Sequence, residues 1–168
     1  MIGTILPPRT FYGHSINATT AGIPGDDLLY FNAVLNSLVP DYCLRLRVSA
    51  NLTMFYLYQL PVPRLTAADA AFAPIVQRAA QLICVTPEFD ALAKEVSTAL
   101  KLPAAVKGVT DPAARARLRA ELDALVAHLY ALTEEEFTHI LTTFPLVDAG
   151  VKAATLETFR ATANGKIQ

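Results

Sequence analysis

Proline punctuates this chain and marks where its elements end or begin. Pro7-Pro8, Pro40, Pro61-Val62-Pro63, Pro103, Pro112 and Pro145 are spread along 168 residues. Inside a helix, a proline lacks the N–H and clashes with the preceding turn; at a helix start it costs nothing. Residues 1–25 combine the first pair with scattered glycines and read as irregular or β, with short strands at Ile2–Leu6 and Ser15–Thr19. Asp26-Asp27 then open a helix, as acids in a first turn suit its dipole, and Leu28, Leu29, Phe31, Val34, Leu35 and Leu38 continue it at three-to-four spacing. Pro40 interrupts it, and Asp41–Val48 reads as a second short helix. Leu52–Leu60, rich in aromatics and apolar on both faces, reads as a central strand ended by Pro61 and Pro63.

The second half reads as helical. Thr66-x-x-Asp69 resembles a capping box with Asp in place of Glu, ahead of a helix over Ala68–Cys84. Pro87–Leu100 is a further helix, and Lys101–Thr110 a loop. Asp111-Pro112 starts a helix with proline at its first position, whose apolar stripe is Leu118, Leu122, Leu125, Val126, Leu129 and Tyr130. Thr133-x-x-Glu136 is a regular capping box for a helix that Pro145 stops. A last helix covers 151–162, and 163–168 is a frayed tail.

Charge narrows the function classes. Fourteen Lys+Arg against fifteen Asp+Glu leave a net charge of −1, which excludes a protein held to nucleic acid by bulk charge alone. Charged residues make up only 17% and apolar ones 53%, so the chain is not a disordered tail, and the shortage of charge points to surface covered by something else. Cys43 and Cys84 stand in no paired-ligand spacing and read as buried free thiols. No secretion signal and no apolar run of membrane-spanning length appear, so the expected compartment is the cytoplasm, with no membrane partner.

Enzyme motifs are absent: no G-x-G-x-x-G, Walker A, H-E-x-x-H or G-x-S-x-G occurs. His14, His128 and His139 are not spaced as metal ligands, and the dipole of a helix start explains Glu134-Glu135-Glu136. Binding features are better. Arg45, Arg47, Ser49, Asn51 and Thr53 follow one another at the expected helix-to-strand junction. Arginine holds phosphate or the acceptors of guanine in bidentate fashion, and asparagine does the same for adenine. A solvated turn has the same composition. Arg9, Tyr12, His14, Ser15 and Asn17 form a second polar cluster around Gly13. The Arg115, Arg117 and Arg119 series reads as a solvated helix face.

Two stretches carry a resemblance. One runs from Leu35-Asn36-Ser37-Leu38-Val39-Pro40-Asp41-Tyr42-Cys43-Leu44-Arg45 through Asn51-Leu52-Thr53 to Gln59-Leu60-Pro61-Val62-Pro63. The other runs from Leu118-Arg119-Ala120-Glu121-Leu122-Asp123-Ala124-Leu125-Val126 through Leu129 to Glu136, then Ile140-Leu141 and Thr143-Phe144-Pro145. Together they resemble the C-terminal region of type IIG-like restriction–modification proteins, adenine-specific DNA methyltransferases fused to endonucleases, and their relatives in phage defence. The first is similar also to recognition domains of type I specificity subunits. The resemblance implies a DNA-reading lobe with β structure followed by helices, and double-stranded DNA and a methyltransferase or nuclease-methyltransferase body as partners. It also implies S-adenosylmethionine, and Mg2+ where a nuclease is fused, on that body. The family's glycine-rich cofactor loop and its Asn-Pro-Pro-Tyr motif for the flipped adenine do not occur here.

The expectation is therefore an α+β chain: a small β-containing lobe with one or two helices over 1–65, and a mainly helical part over 66–162. Its expected function is DNA target recognition without catalysis or a cofactor on this chain, as a fragment or a separately encoded subunit. The residues expected at DNA are Arg45, Arg47, Ser49, Asn51, Arg9 and Asn17. The alternative is a structural module, a homodimer among its forms, that assembles through its C-terminal helices and the Leu118–Tyr130 stripe.

Overall fold

The computed structural model describes residues 3–7, 10, 11, 13, 18, 22–48 and 52–162. Among them every regular element is helical: α1 (Gly25–Asn36), α2 (Leu38–Arg45), α3 (Met54–Tyr58), α4 (Phe72–Ile83), α5 (Asp90–Ala99, entered through a 3-10 turn at Pro87–Phe89), α6 (Pro112–Leu129), α7 (Glu134–Thr142) and α8 (Ala149–Ala161). The α+β expectation is thus corrected to all-α. Residues 3–6 of the first expected strand are irregular, and the strand expected at Ser15–Thr19 lies outside the described residues apart from Ala18.

The main correction is at Leu52–Leu60. The Thr53 carbonyl accepts the Tyr56 and Leu57 amides at 3.1 and 3.4 Å and opens α3 there. Leu52, Tyr56, Leu57 and Leu60 pack with Leu35 and Leu44, while Phe55 and Tyr58 face outward. That inward set is spaced four, one and three residues apart, the period of a helix rather than the alternation of a strand. A segment apolar at nearly every position satisfies either period, and no other described segment forms a strand to pair with it.

Three helices carry their own caps. Asp111 Oδ2 accepts the Ala114 amide at 2.8 Å, and Pro112 occupies the first position of α6. Thr133 and Glu136 exchange both capping-box bonds at the start of α7, and Asp148 Oδ1 accepts the Gly150 and Val151 amides at that of α8. Such caps stabilise a helix by about 0.5–2 kcal/mol. The Thr66–Asp69 pattern does something else: Asp69 Oδ2 accepts the Thr66 N–H and O–H at 2.7 and 2.9 Å, closing a turn ahead of α4. The helix then begins at Phe72 instead of Ala68, with Pro74 in its first turn. Pro40 likewise sits in the first turn of α2, so the break falls at Ser37 and not at the proline.

Two helices are capped from a distance. Pro24 gives α1 no side-chain cap, and Glu95 of α5 accepts the Gly25 amide at 2.7 Å. Ser37 gives α2 none either, since its hydroxyl donates to the Val34 carbonyl; Asp123 of α6 accepts the Leu38 amide at 2.8 Å.

α6 is the spine. Leu122, Leu125 and Val126 enter a core with Leu29, Val34, Phe72, Ile75, Val76 and Val96, which joins α1, α4, α5 and α6. Its other side, Ala124 and Ala127, packs with Val39, Phe137, Ile140, Phe144 and Phe159 of α2, α7, α8 and the turn after α7. Fully burying side chains such as Phe72, Ile75 and Phe137 stabilises by about 1.5–3 kcal/mol each. The alanines let α8 pack closely against α6. Both cores join residues on the two sides of position 65. Among the described residues no helix is long and apolar enough to cross a membrane.

Candidate functional site

The residues expected at DNA are only partly within the described structure. Arg45 ends α2, with Nε and Nη2 each 3.1 Å from Asp41 Oδ2 and its guanidinium 4.5 Å above the Phe144 ring. Arg47 is exposed and donates from Nη1 to the Gln59 carbonyl at 3.1 Å. Ser49, Asn51, Arg9 and Asn17 lie outside the described residues, as do Tyr12, His14 and Ser15. The Arg45 side chain is more than half exposed while that of Asp41 is largely covered, so the guanidinium keeps a solvent-facing side.

The two stretches that carried the resemblance come together. Leu38 meets Asp123 through the bond just described. Tyr42 of α2 lies edge-on to His139 of α7, ring centroids 6.3 Å apart, and Arg45 covers Phe144. Val39 shares a core with Phe137, Ile140 and Phe144. The start of α2, the middle of α6 and all of α7 therefore form one packed unit from residues about a hundred positions apart.

Beside that unit, α1, α4 and α6 enclose a cleft of about 360 Å³. Its apolar wall comes from Ala33, Ala79, Leu82, Ile83 and Leu122, and its polar wall from Asn32, Asn36, Arg115, Arg119 and Asp123. The Asn36 amide is fully used: it accepts from the Gly3 N–H at 2.8 Å and donates to the Gly3 and Asn32 carbonyls. Arg115 Nη1 donates to the carbonyls of Leu82 and Val109 at 3.0 and 2.7 Å. Arg119 is exposed and has no hydrogen-bond or ion-pair partner among the described residues. Asp123 as a residue keeps some exposure, but its carboxyl is enclosed. Burial pushes that carboxyl up to about 7, only partly opposed by the Leu38 amide.

Sequence reading passed over Asp123. The available signal was an acid between Leu122 and Ala124, both buried on a helix that is apolar on two sides. The Arg115, Arg117 and Arg119 series divides: Arg117 pairs with Glu121 at 3.0 Å, and Arg115 and Arg119 face the cleft. The same Glu121 binds Arg78 of α4 at 2.6 Å.

The remaining chemistry-bearing residues hold the fold. His128 stacks on Phe159 at 4.1 Å between centroids, and its Nε2 lies within hydrogen-bond distance of the Phe159 carbonyl and the Thr162 hydroxyl. Glu134 pairs with Arg160 of α8 at 2.6 Å. Cys84 is buried, which pushes its thiol up to about 11, and Cys43 is half-buried. Among the described residues no group of three or more His, Cys, Asp or Glu is placed to hold a metal ion. Comparison with protein-family models, with curated proteins and with solved structures returned no match.

Proposed function

We infer that this chain is the DNA target-recognition piece of a restriction–modification or phage-defence methyltransferase, working in the cytoplasm with the reaction carried by a separate body. The observation that carries the reading is the packing of the two resembling stretches on each other, pinned by Leu38 and Asp123 across 85 positions. Such packing is what a single recognition module built from both stretches requires. The body would bind S-adenosylmethionine, and Mg2+ where a nuclease is fused.

The surface beside Arg47 supports the same reading. Leu46, Phe55 and Tyr58 are 69%, 66% and 79% exposed, and the Arg47–Gln59 bond brings the first of them to the end of α3. Arginine with exposed aromatics suits both stacking on bases and contact with a protein body. A net charge of −1 leaves the bulk attraction to phosphate to that body. The assembly alternative draws less support, because the Leu118–Tyr130 stripe is covered largely by this chain's own α1 and α4.

The test is reconstitution with a methyltransferase encoded beside this chain. Methylation of duplexes carrying varied sites is expected to be selective with the chain and to lose that selectivity without it. Site preference that is unchanged on omission, or methyl transfer from S-adenosylmethionine by this chain unaided, would overturn the reading.

A further inference from the structure

The cleft between α1, α4 and α6 contains charge that the fold does not consume. Arg115 and Arg119 are one helical turn apart on α6 and both line it. Arg115 is fixed by two backbone carbonyls, which orient its guanidinium without neutralising it. Arg119 has no partner among the described residues. The facing wall on α4 is apolar, with Ala79, Leu82 and Ile83 in it, and Leu122 adds apolar surface on α6 itself. A volume of about 360 Å³ lies in the range of small-molecule sites, which are mostly apolar with a few convergent polar groups. We propose that this cleft binds a small organic anion, a carboxylate or phosphate monoester with an apolar body, whose anionic end is held by Arg119 beside Arg115.

The neighbouring carboxyl decides the conditions. Asp123 lies one turn beyond Arg119 and lines the same cleft. Protonated, it adds no negative charge beside the anion; ionised, it repels it. The cleft is uncharged on α1 (Asn32, Asn36), at Ser37 and on α4 (Ala79, Leu82, Ile83); α2 faces the carboxyl with the Leu38 amide, and Arg115 and Arg119 line the same cleft without holding that carboxyl down. The site is independent of the DNA reading, since neither arginine belongs to the residues assigned to DNA.

The experiment is an amide NMR titration of the full chain with adenosine 5′-monophosphate and with benzoate, against adenosine and benzamide as uncharged controls. The anions are expected to shift the amides of Asn32, Asn36 and Leu38, and the controls to leave them in place. Burial pushes the Asp123 carboxyl up to about 7, so benzoate binding is expected to be tighter at pH 6 than at pH 8.5, where the carboxyl is ionised. Arg119→Gln, on an exposed side chain without an internal partner, is expected to fold and to lose at least about tenfold in affinity, the worth of a charge-assisted bond of ~1.5–3 kcal/mol. Asp123→Asn is expected to bind benzoate, whose charge is constant over this range, at both pH values with little difference. Absence of anion-selective shifts up to about 10 mM ligand, a weak-binding bound near ~3 kcal/mol, overturns the proposal. Unchanged affinity in Arg119→Gln does so as well.

Discussion

Replacing Asp123 by asparagine tests how its enclosed carboxyl affects the fold. The side chain keeps an oxygen that can accept the Leu38 amide, now held at 2.8 Å, and loses only its ability to ionise. Burial raises the Asp123 carboxyl from its ordinary 3.8 to about 7, roughly 3 pH units. At about 1.4 kcal/mol per unit, this amounts to about 4 kcal/mol. The sign follows from proton counting. Between about pH 4 and 7 the folded chain keeps a proton that the unfolded chain has released, so stability falls as pH rises and levels off above 7. Three exposed carboxylates act in the opposite sense: Asp69 is lowered by the Thr66 amide, Glu88 by the Thr86 hydroxyl and Glu134 by Arg160. Their contributions are lost as pH falls and are common to both proteins, so the difference between wild type and variant isolates Asp123. Urea unfolding followed by far-ultraviolet circular dichroism at pH 4 and pH 8 supplies that difference. The two proteins should be nearly equal at pH 4, and the variant more stable at pH 8 by up to about 4 kcal/mol. Parallel stabilities across that range, or a variant weaker at pH 8, would refute the argument. The second result would mean that the amide end of α2 favours the carboxylate more than burial penalises it.

Further substitutions address separate parts of the chain. In Gly108→Ala the new Cβ would collide with the Cys84 carbonyl and the Val85 Cα, which are backbone atoms that cannot swing aside. A loss of at least about 1–3 kcal/mol is expected, together with faster hydrogen exchange at Val109, whose amide donates to the Gln81 carbonyl. Thr133→Ala removes half of the α7 capping box and should cost about 1 kcal/mol in thermal unfolding, with Glu136→Gln much milder because it can still accept the Thr133 amide. Arg47→Gln should change the stability of the chain by less than about 0.5 kcal/mol, and Arg45→Gln should lower it by about 0.5–1.5 kcal/mol through loss of the Asp41 pair and the Phe144 contact. In the reconstituted complex each should lower the salt slope of duplex binding by about 1, as read by fluorescence anisotropy; an unchanged slope would remove these residues from the phosphate contacts.

The parts of this fold that were legible in the sequence are those whose causes lie within one helical turn. Asp111, Thr133 and Glu136 cap their own helices, and the starts of α6 and α7 fall where those residues stand. The apolar stripe of α6 is likewise local, since three-to-four spacing places Leu122, Leu125 and Val126 on one side whatever covers them. Tertiary structure decided the rest. An apolar run such as Met54–Tyr58 can serve a sheet or a helix, and it was resolved by the presence of Leu35 and Leu44, with no partner strand among the described residues. The inner face of α1 uses Tyr30 and Ala33 and leaves Phe31 outside, because Tyr30 meets Phe72 and its hydroxyl reaches the Pro63 carbonyl. The caps of α1 and α2 come from Glu95 and Asp123, acids 70 and 85 positions away. A carboxylate at such a distance leaves no mark beside the helix it caps: the free energy of that bond, and of the Asp123 charge, exists only once α6 lies against α1 and α2.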